Sequence, residues 1–160
     1  MIKIQGLLEA DLTGLGAPVS VQDGMEPLIK DANQTAYNKL AVMPVDGTLQ
    51  FNLCISNNRP FVVDEMESHK DSAELLVAVI GSFVVPCAPT KIVDGEAQPD
   101  MDKAVAIRVE QGQGIIFNIG VWHWTPYAIT PTSNILVGFK EDTPQNDFFG
   151  FKLEKPYEMA

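Results

Sequence analysis

The sequence predicts an all-β domain, a sandwich or barrel with little helix. Three observations predict it. Apolar segments of strand length recur along the chain, Gly, Pro, Asn or Asp bounds each of them, and only one short N-terminal stretch has helical character. That stretch is Glu9 to Leu15, and Gly14, Gly16 and Pro18 cut it off. Residues 49–56, LQFNLCIS, alternate cleanly. Leu49, Phe51, Leu53 and Ile55 share one face, and Gln50, Asn52, Cys54 and Ser56 share the other. Further strands are expected at 61–67, 75–85, 104–110, 114–119 and 135–140. Asp46-Gly47 and Asp94-Gly95 are tight-turn signals. The Pro-rich segment from Pro86 to Pro99 reads as a loop over one end of the barrel. No linker, repeat or low-complexity tract interrupts the pattern, so residues 1–160 are expected to form a single domain.

Composition narrows the function. The net charge is −10, and an acidic surface repels phosphate backbones, so nucleic acid is not an expected partner. Anionic membrane surfaces are disfavoured for the same reason. The longest apolar stretch, Leu75 to Pro86, is too short to span a bilayer. The N-terminus lacks a basic segment followed by an apolar one, so it does not read as a secretory signal. Cys54 and Cys87 lie in apolar surroundings without Cys-x-x-Cys spacing, which suits two free thiols in a reducing cytoplasm. The expected partner is a small molecule.

The chemistry concentrates around the two histidines, His69 and His123. Glu67 and His69 are two apart, so on a strand they point to one face. Glu74 follows after a short turn, and a hairpin there brings it back beside His69. Carboxylate oxygen and imidazole nitrogen form a ligand set for a divalent ion such as Zn²⁺, Mn²⁺, Fe²⁺ or Ni²⁺. Against this stands a plainer reading: DEMESHKD as a solvated turn, and His123, between Trp122 and Trp124, as a core histidine bonded to a carbonyl.

The spacing of these residues resembles both signature motifs of the cupin superfamily. The first reads Glu67-Ser-His69, four residues, Glu74, six residues, Gly81. The second reads Gly112, five residues, Asn118-x-Gly120, two residues, His123, three residues, Tyr127. Glu67 stands for the first histidine, Phe61 for a leading glycine, Asn118 for a proline and Tyr127 for an asparagine. The resemblance implies a double-stranded β-helix, or jelly-roll barrel, with a metal held by His69, Glu74, His123 and Glu67. A homodimer is expected by the same analogy.

Within the cupins, residues 12 to 142 resemble the ureidoglycolate lyase family, through LTGLGAPVS, AYNKLA, ISNNRP, MESHKDSAELL and GVWH. Glu67, His69, Trp122 and His123 match position by position. Ser68 and Ala36 stand where the family often has Arg, and Phe139-Lys140 stands for an Asp-Arg. The resemblance implies cleavage of ureidoglycolate to glyoxylate and urea, a step of allantoin degradation and purine metabolism. Glu67, His69 and His123 would be catalytic, with Glu67 either a fourth ligand or the general base. Arg59 and Lys140 are the cations available for the substrate carboxylate, against an ordinary surface role for each. Tyr37, Trp122 and Trp124 are candidate pocket residues, against plain core packing. Two other classes stay open: another metal-dependent cupin enzyme on a small acid or sugar, and a non-catalytic ligand-binding cupin.

Overall fold

The computed structural model describes residues 1–160. In chain order its strands are β1 (Ile4–Gly6), β2 (Gly16–Val19), β3 (Ile29–Lys30), β4 (Thr35–Ala36), β5 (Leu49–Asn57), β6 (Val62–Ser68), β7 (Glu74–Ile80) and β8 (Phe83–Ala88). They continue with β9 (Thr90–Val93), β10 (Glu96–Pro99), β11 (Val105–Val109), β12 (Gly114–Phe117), β13 (Trp122–His123), β14 (Tyr127–Ala128), β15 (Thr132–Lys140) and β16 (Phe149–Glu158). One sheet of seven strands runs β1-β11-β8-β13-β6-β16, with β14 on β8. A second sheet of five runs β2-β12-β7-β15-β5. Two sheets whose strands come from both halves of the chain give the jelly-roll barrel.

Two apolar clusters follow from strand alternation. Leu76, Phe83, Val85, Ile107, Ile115 and Ile135 fill the space between the sheets, with Leu7, Leu12 and Leu15 joining them from the N-terminal turns. Met66, Val84, Ala106 and Trp122 point the other way and meet Leu153 and Met159 outside the seven-stranded sheet.

Several sequence expectations change in detail. The helix expected over 9–15 does not form. Two separate turns replace it, closed by Ala10 N–H to Gly6 O (3.0 Å) and Gly16 N–H to Leu12 O (3.0 Å), while the Asp11 carboxylate accepts from Thr13 N–H. The one α-helix is a single turn, Thr143–Asn146. The strand expected over 75–85 is two strands, β7 and β8, reversed at Gly81 (φ 73°). The Pro-rich segment is not a loop. It continues β8 and then forms the β9–β10 hairpin around Asp94 (φ 51°) and Gly95 (φ 86°). Positive φ at both central residues is what a two-residue hairpin of matching twist requires. Strand β16 escapes sequence reading because Lys152, Glu154, Lys155 and Pro156 blur its alternation. It lies at a sheet edge with a register shift, where proline is tolerated.

At Gly81 a Cβ would collide with Thr130 Oγ1 and Ser133 Oγ, besides straining a left-handed backbone. Gly81→Ala should therefore lower unfolding stability by about 2 kcal/mol, read by urea denaturation.

Candidate metal centre

The site is assembled by register. Strand β13 is two residues long and lies between β8 and β6, so His123 sits opposite Glu67 on one side and Cys87 on the other. Glu67 is the penultimate residue of β6, and His69 follows its end. Glu74 opens β7 in the other sheet, paired with Phe117. The Gly120 N–H donates to His69 O at 2.7 Å, tying the two histidine segments together. The Phe117 ring stacks on the His123 ring, with centroids 4.9 Å apart.

The two imidazoles are oriented by backbone. His69 Nδ1 lies 2.6 Å from Asp147 O, and His123 Nδ1 lies 3.1 Å from Val121 O. A carbonyl oxygen can only accept, so each Nδ1 carries a hydrogen and each Nε2 is turned to the centre. There, Glu74 Oε2 is 3.0 Å from His69 Nε2 and 3.4 Å from His123 Nε2. Glu67 Oε1 stands off at 3.9 Å from His123 Nε2. The ligand atoms of Glu67, His69 and His123 lie within 4.8 Å of one another. His123 Nε2 is buried with no aligned hydrogen-bond partner, despite the nearby Glu74 oxygen. Two imidazole nitrogens and two carboxylates converging on one point, one nitrogen orphaned, fit a divalent cation.

The electrostatics describe the same centre with protons in place of a metal. Burial pushes the Glu67 carboxyl up, opposed by His123. Burial also penalises the charged forms of Glu74 and both histidines, but their mutual contacts outweigh it. Glu74 is held low, and His69 and His123 are held high.

Glu67, His69 and Glu74 line a cavity of about 440 Å³, a usual size for a small-molecule site, with His123 buried behind them. Asn52, Cys54, Trp124, Thr125, Phe139 and Phe148 also line it. Asn52 and Cys54 were not anticipated: the alternation of β5 put them on one face, but only the fold turns that face inward. Cys54 is half-buried and Cys87 fully buried, both free, and burial pushes the Cys87 thiol up to about 12.

Five sequence candidates fall outside the cavity lining: His123, buried behind Glu67 and Glu74, and four more. Trp122 neighbours His123 on a strand, so it points through the sheet and packs edge-on against Phe151 at 5.9 Å. Tyr37 sits in the exposed segment between β2 and β5. Lys140 closes β15 on the face opposite Phe139, above Gly47. Arg59 comes nearest: it donates to Thr125 O (3.2 Å) and Thr125 Oγ1 (3.0 Å), and its guanidinium lies 3.9 Å over the Tyr127 ring. It braces the cavity wall from behind. Asp147 was not anticipated. Its buried carboxylate accepts from Lys70 N–H and Asp71 N–H, each at 2.8 Å, while its carbonyl holds His69. No periodicity marks an aspartate at the end of a single helical turn.

The ureidoglycolate lyase family model matches residues 1–160. The chain belongs to the ureidoglycolate lyase family. No curated protein matches it in sequence. Similar solved structures include a 3,4-ketoisomerase, QdtA, from Thermoanaerobacterium thermosaccharolyticum (17% identity, TM-score 0.45, covering 87% of this chain and 88% of that one). Another is a dTDP-4-dehydrorhamnose 3,5-epimerase from Elizabethkingia anophelis (12%, 0.47, 86% and 78%). A third is the oxalate decarboxylase of Bacillus subtilis, described with Mn(II) centres (14%, 0.42, 67% and 24%). The chain thus spans about a quarter of the decarboxylase's length. At these TM-scores none of the three bears on the chemistry of this family member. No helix is long and apolar enough to cross a membrane.

Two outcomes are expected. Asp147→Ala should leave the fold intact but weaken divalent metal binding by about 10-fold or more in a calorimetric titration, because the 69–71 turn loses its clamp. In chelator-treated protein, the His69 imidazole is held to about 9, above the ordinary 6.5. A raised folded value contributes stability that is full below pH about 6.5 and lost as pH rises through about 9. The melting midpoint should fall across that window. Saturating metal should flatten the fall, because coordination displaces the proton.

Proposed function

We propose that the chain is a metal-dependent lyase that cleaves ureidoglycolate to glyoxylate and urea, acting in allantoin degradation in the cytoplasm. The observation that carries this reading is the convergence of two backbone-oriented imidazoles and two carboxylates on one point beside a cavity of small-molecule size, in a chain that belongs to this family.

His69, His123 and Glu74 would hold the ion, since Glu74 reaches both Nε2 atoms. When bound, a divalent ion supplies Lewis acidity and charge, favouring loss of a hydroxyl proton and anchoring a carboxylate. Glu67 is assigned the proton transfer. Its side chain is 17% exposed against 3–9% for the other three, it stands furthest from the imidazoles, and burial raises its pKa toward neutrality.

The substrate carbon bears a hydroxyl, a carboxylate and a urea nitrogen. Glu67 takes the hydroxyl proton as the C–O bond gains double-bond character and the C–N bond breaks. The protonated Glu67 then gives that proton to the departing nitrogen. No water is consumed, so the step is an elimination rather than a hydrolysis. Trp124, Phe139 and Phe148 would restrict water around the reacting carbon.

Glu67→Gln should keep metal binding and lower turnover by about 10²–10⁴-fold, measured as glyoxylate released from ureidoglycolate. Loss of metal with the same substitution would instead make Glu67 a ligand. Metal bound to the unaltered protein without glyoxylate formation would sink the lyase reading.

A further inference from the structure

A short chain of hydrogen bonds fixes one side chain of the cavity wall. The Asp142 N–H donates to Gln50 Oε1 at 3.0 Å, and Gln50 Nε2 donates to Asn52 Oδ1 at 3.0 Å. A backbone N–H can only donate, so the Gln50 amide has one orientation, with its nitrogen toward Asn52. That nitrogen needs an oxygen, so the Asn52 amide has one orientation as well. Asn52 lines the cavity, and Nδ2, the end left over, makes no hydrogen bond within the chain. It is a fixed, uncharged donor on a wall without lysine or arginine. Register places it relative to the metal centre. Asn52, Val137 and Leu76 are paired across β5, β15 and β7 and all three line the cavity, with Glu74 two residues from Leu76. Two strand spacings, about 10 Å between backbones, separate β5 from β7. Asn52 and Glu74 enter that gap from its two sides, with room for a short molecule between them. One segment serves both ends: Asp142 starts the relay to Asn52, and Asp147 holds His69.

We infer that Asn52 Nδ2 donates to the ureido carbonyl oxygen of the substrate, with Gln50 as its positioning residue; the inference rests on the lyase reading above. The two ends of that substrate need different partners. The carboxylate carries a full charge, and a cation held by His69, His123 and Glu74 would meet it. The ureido group is neutral and offers one strong acceptor oxygen, which matches a single uncharged donor. The same donor acts on the reaction. As the C–N bond breaks, its electron pair passes to the ureido nitrogen and is shared by resonance with the ureido oxygen. That oxygen gains charge until Glu67 delivers the proton to the nitrogen. A donor set in place beforehand binds more strongly as the charge grows, so it stabilises the transition state more than the bound substrate. The anchor at Asp142 keeps the amide from turning its own oxygen to the same place, where it would repel the developing charge.

Steady-state kinetics on the metal-loaded protein, with ureidoglycolate as substrate, test the inference. Asn52→Ala should lower kcat by about 10²–10³-fold, raise KM by less than about 5-fold and leave metal affinity unchanged. Gln50→Glu still accepts from Asp142 N–H but offers Asn52 only oxygen, so the Asn52 amide turns and kcat should fall by about 10-fold or more. Added to Asn52→Ala, Gln50→Glu should not lower kcat further, because the donor it positions is already gone. Turnover by Asn52→Ala within about 3-fold of the unaltered protein would overturn the inference and leave the lyase reading standing. A loss carried by KM alone, loss of metal with Asn52→Ala, or losses that multiply in the double variant would do the same. No glyoxylate from the unaltered protein would overturn both.

Discussion

The centre depends on one constraint, the placement of a two-residue strand. His123 lies opposite Glu67 only because β13 is hydrogen-bonded on both sides, to β6 and to β8. A slip of one residue would reverse its side chains, sending Trp122 into the cavity and His123 into the outer cluster. The Phe117 stack and the bond from His123 Nδ1 to Val121 O then fix the ring within its own strand. His69, beyond the end of β6, has no such ladder. Its position comes instead from Gly120 N–H on its carbonyl and from Asp147, which holds the ring and the following turn together. One histidine is held by a sheet and the other by a loop, and both end with Nε2 facing Glu74.

Charge explains why such a group is tolerated in the interior of an acidic protein. Two carboxylates carry two negative charges, and leaving them uncompensated away from water would be costly. Two protons, one on each imidazole, neutralise them. A divalent ion between neutral imidazoles does the same. The raised histidines and lowered Glu74 therefore describe a centre that favours positive charge, although burial pushes the Glu67 carboxyl up. A bound metal would compete with protons for the same Nε2 atoms.

The sequence was legible where local rules are strong. The period-2 strands, the Asp94-Gly95 turn and the spacing from Glu67 through His69 to Glu74 reflect backbone geometry within a few residues. It was opaque where long-range contacts decide. The alternation of β5 was plain, but nothing local says that Gln50, Asn52, Cys54 and Ser56 turn inward while Phe51 and Ile55 face out. The N-terminal turns resemble a helix in composition, yet Leu7, Leu12 and Leu15 are drawn into the core between the sheets, which suits two turns better than one axis. Trp122 and Lys140 differ from the cavity residues beside them only in strand parity, and parity relative to the core is a tertiary property.

The positions where the resemblance leads one to expect arginine can now be located. Position 68 lies between two inward residues, so Ser68 points away from the cavity and is buried on the other face. Ala36 belongs to β4 in the segment between the sheet edges and does not line the cavity. Position 139 is different. Phe139 lines the cavity, and the adjoining Lys140 is directed outside. No lysine or arginine lines the cavity, so no fixed side-chain cation waits for a carboxylate there. On the proposed reading, an anionic substrate in this pocket would take its counter-charge from a metal held at the centre, beside apolar walls that strengthen that single attraction. On the same reading, carboxylate recognition and proton transfer would rest on the same four residues, Glu67, His69, Glu74 and His123, and the apolar lining would select by shape.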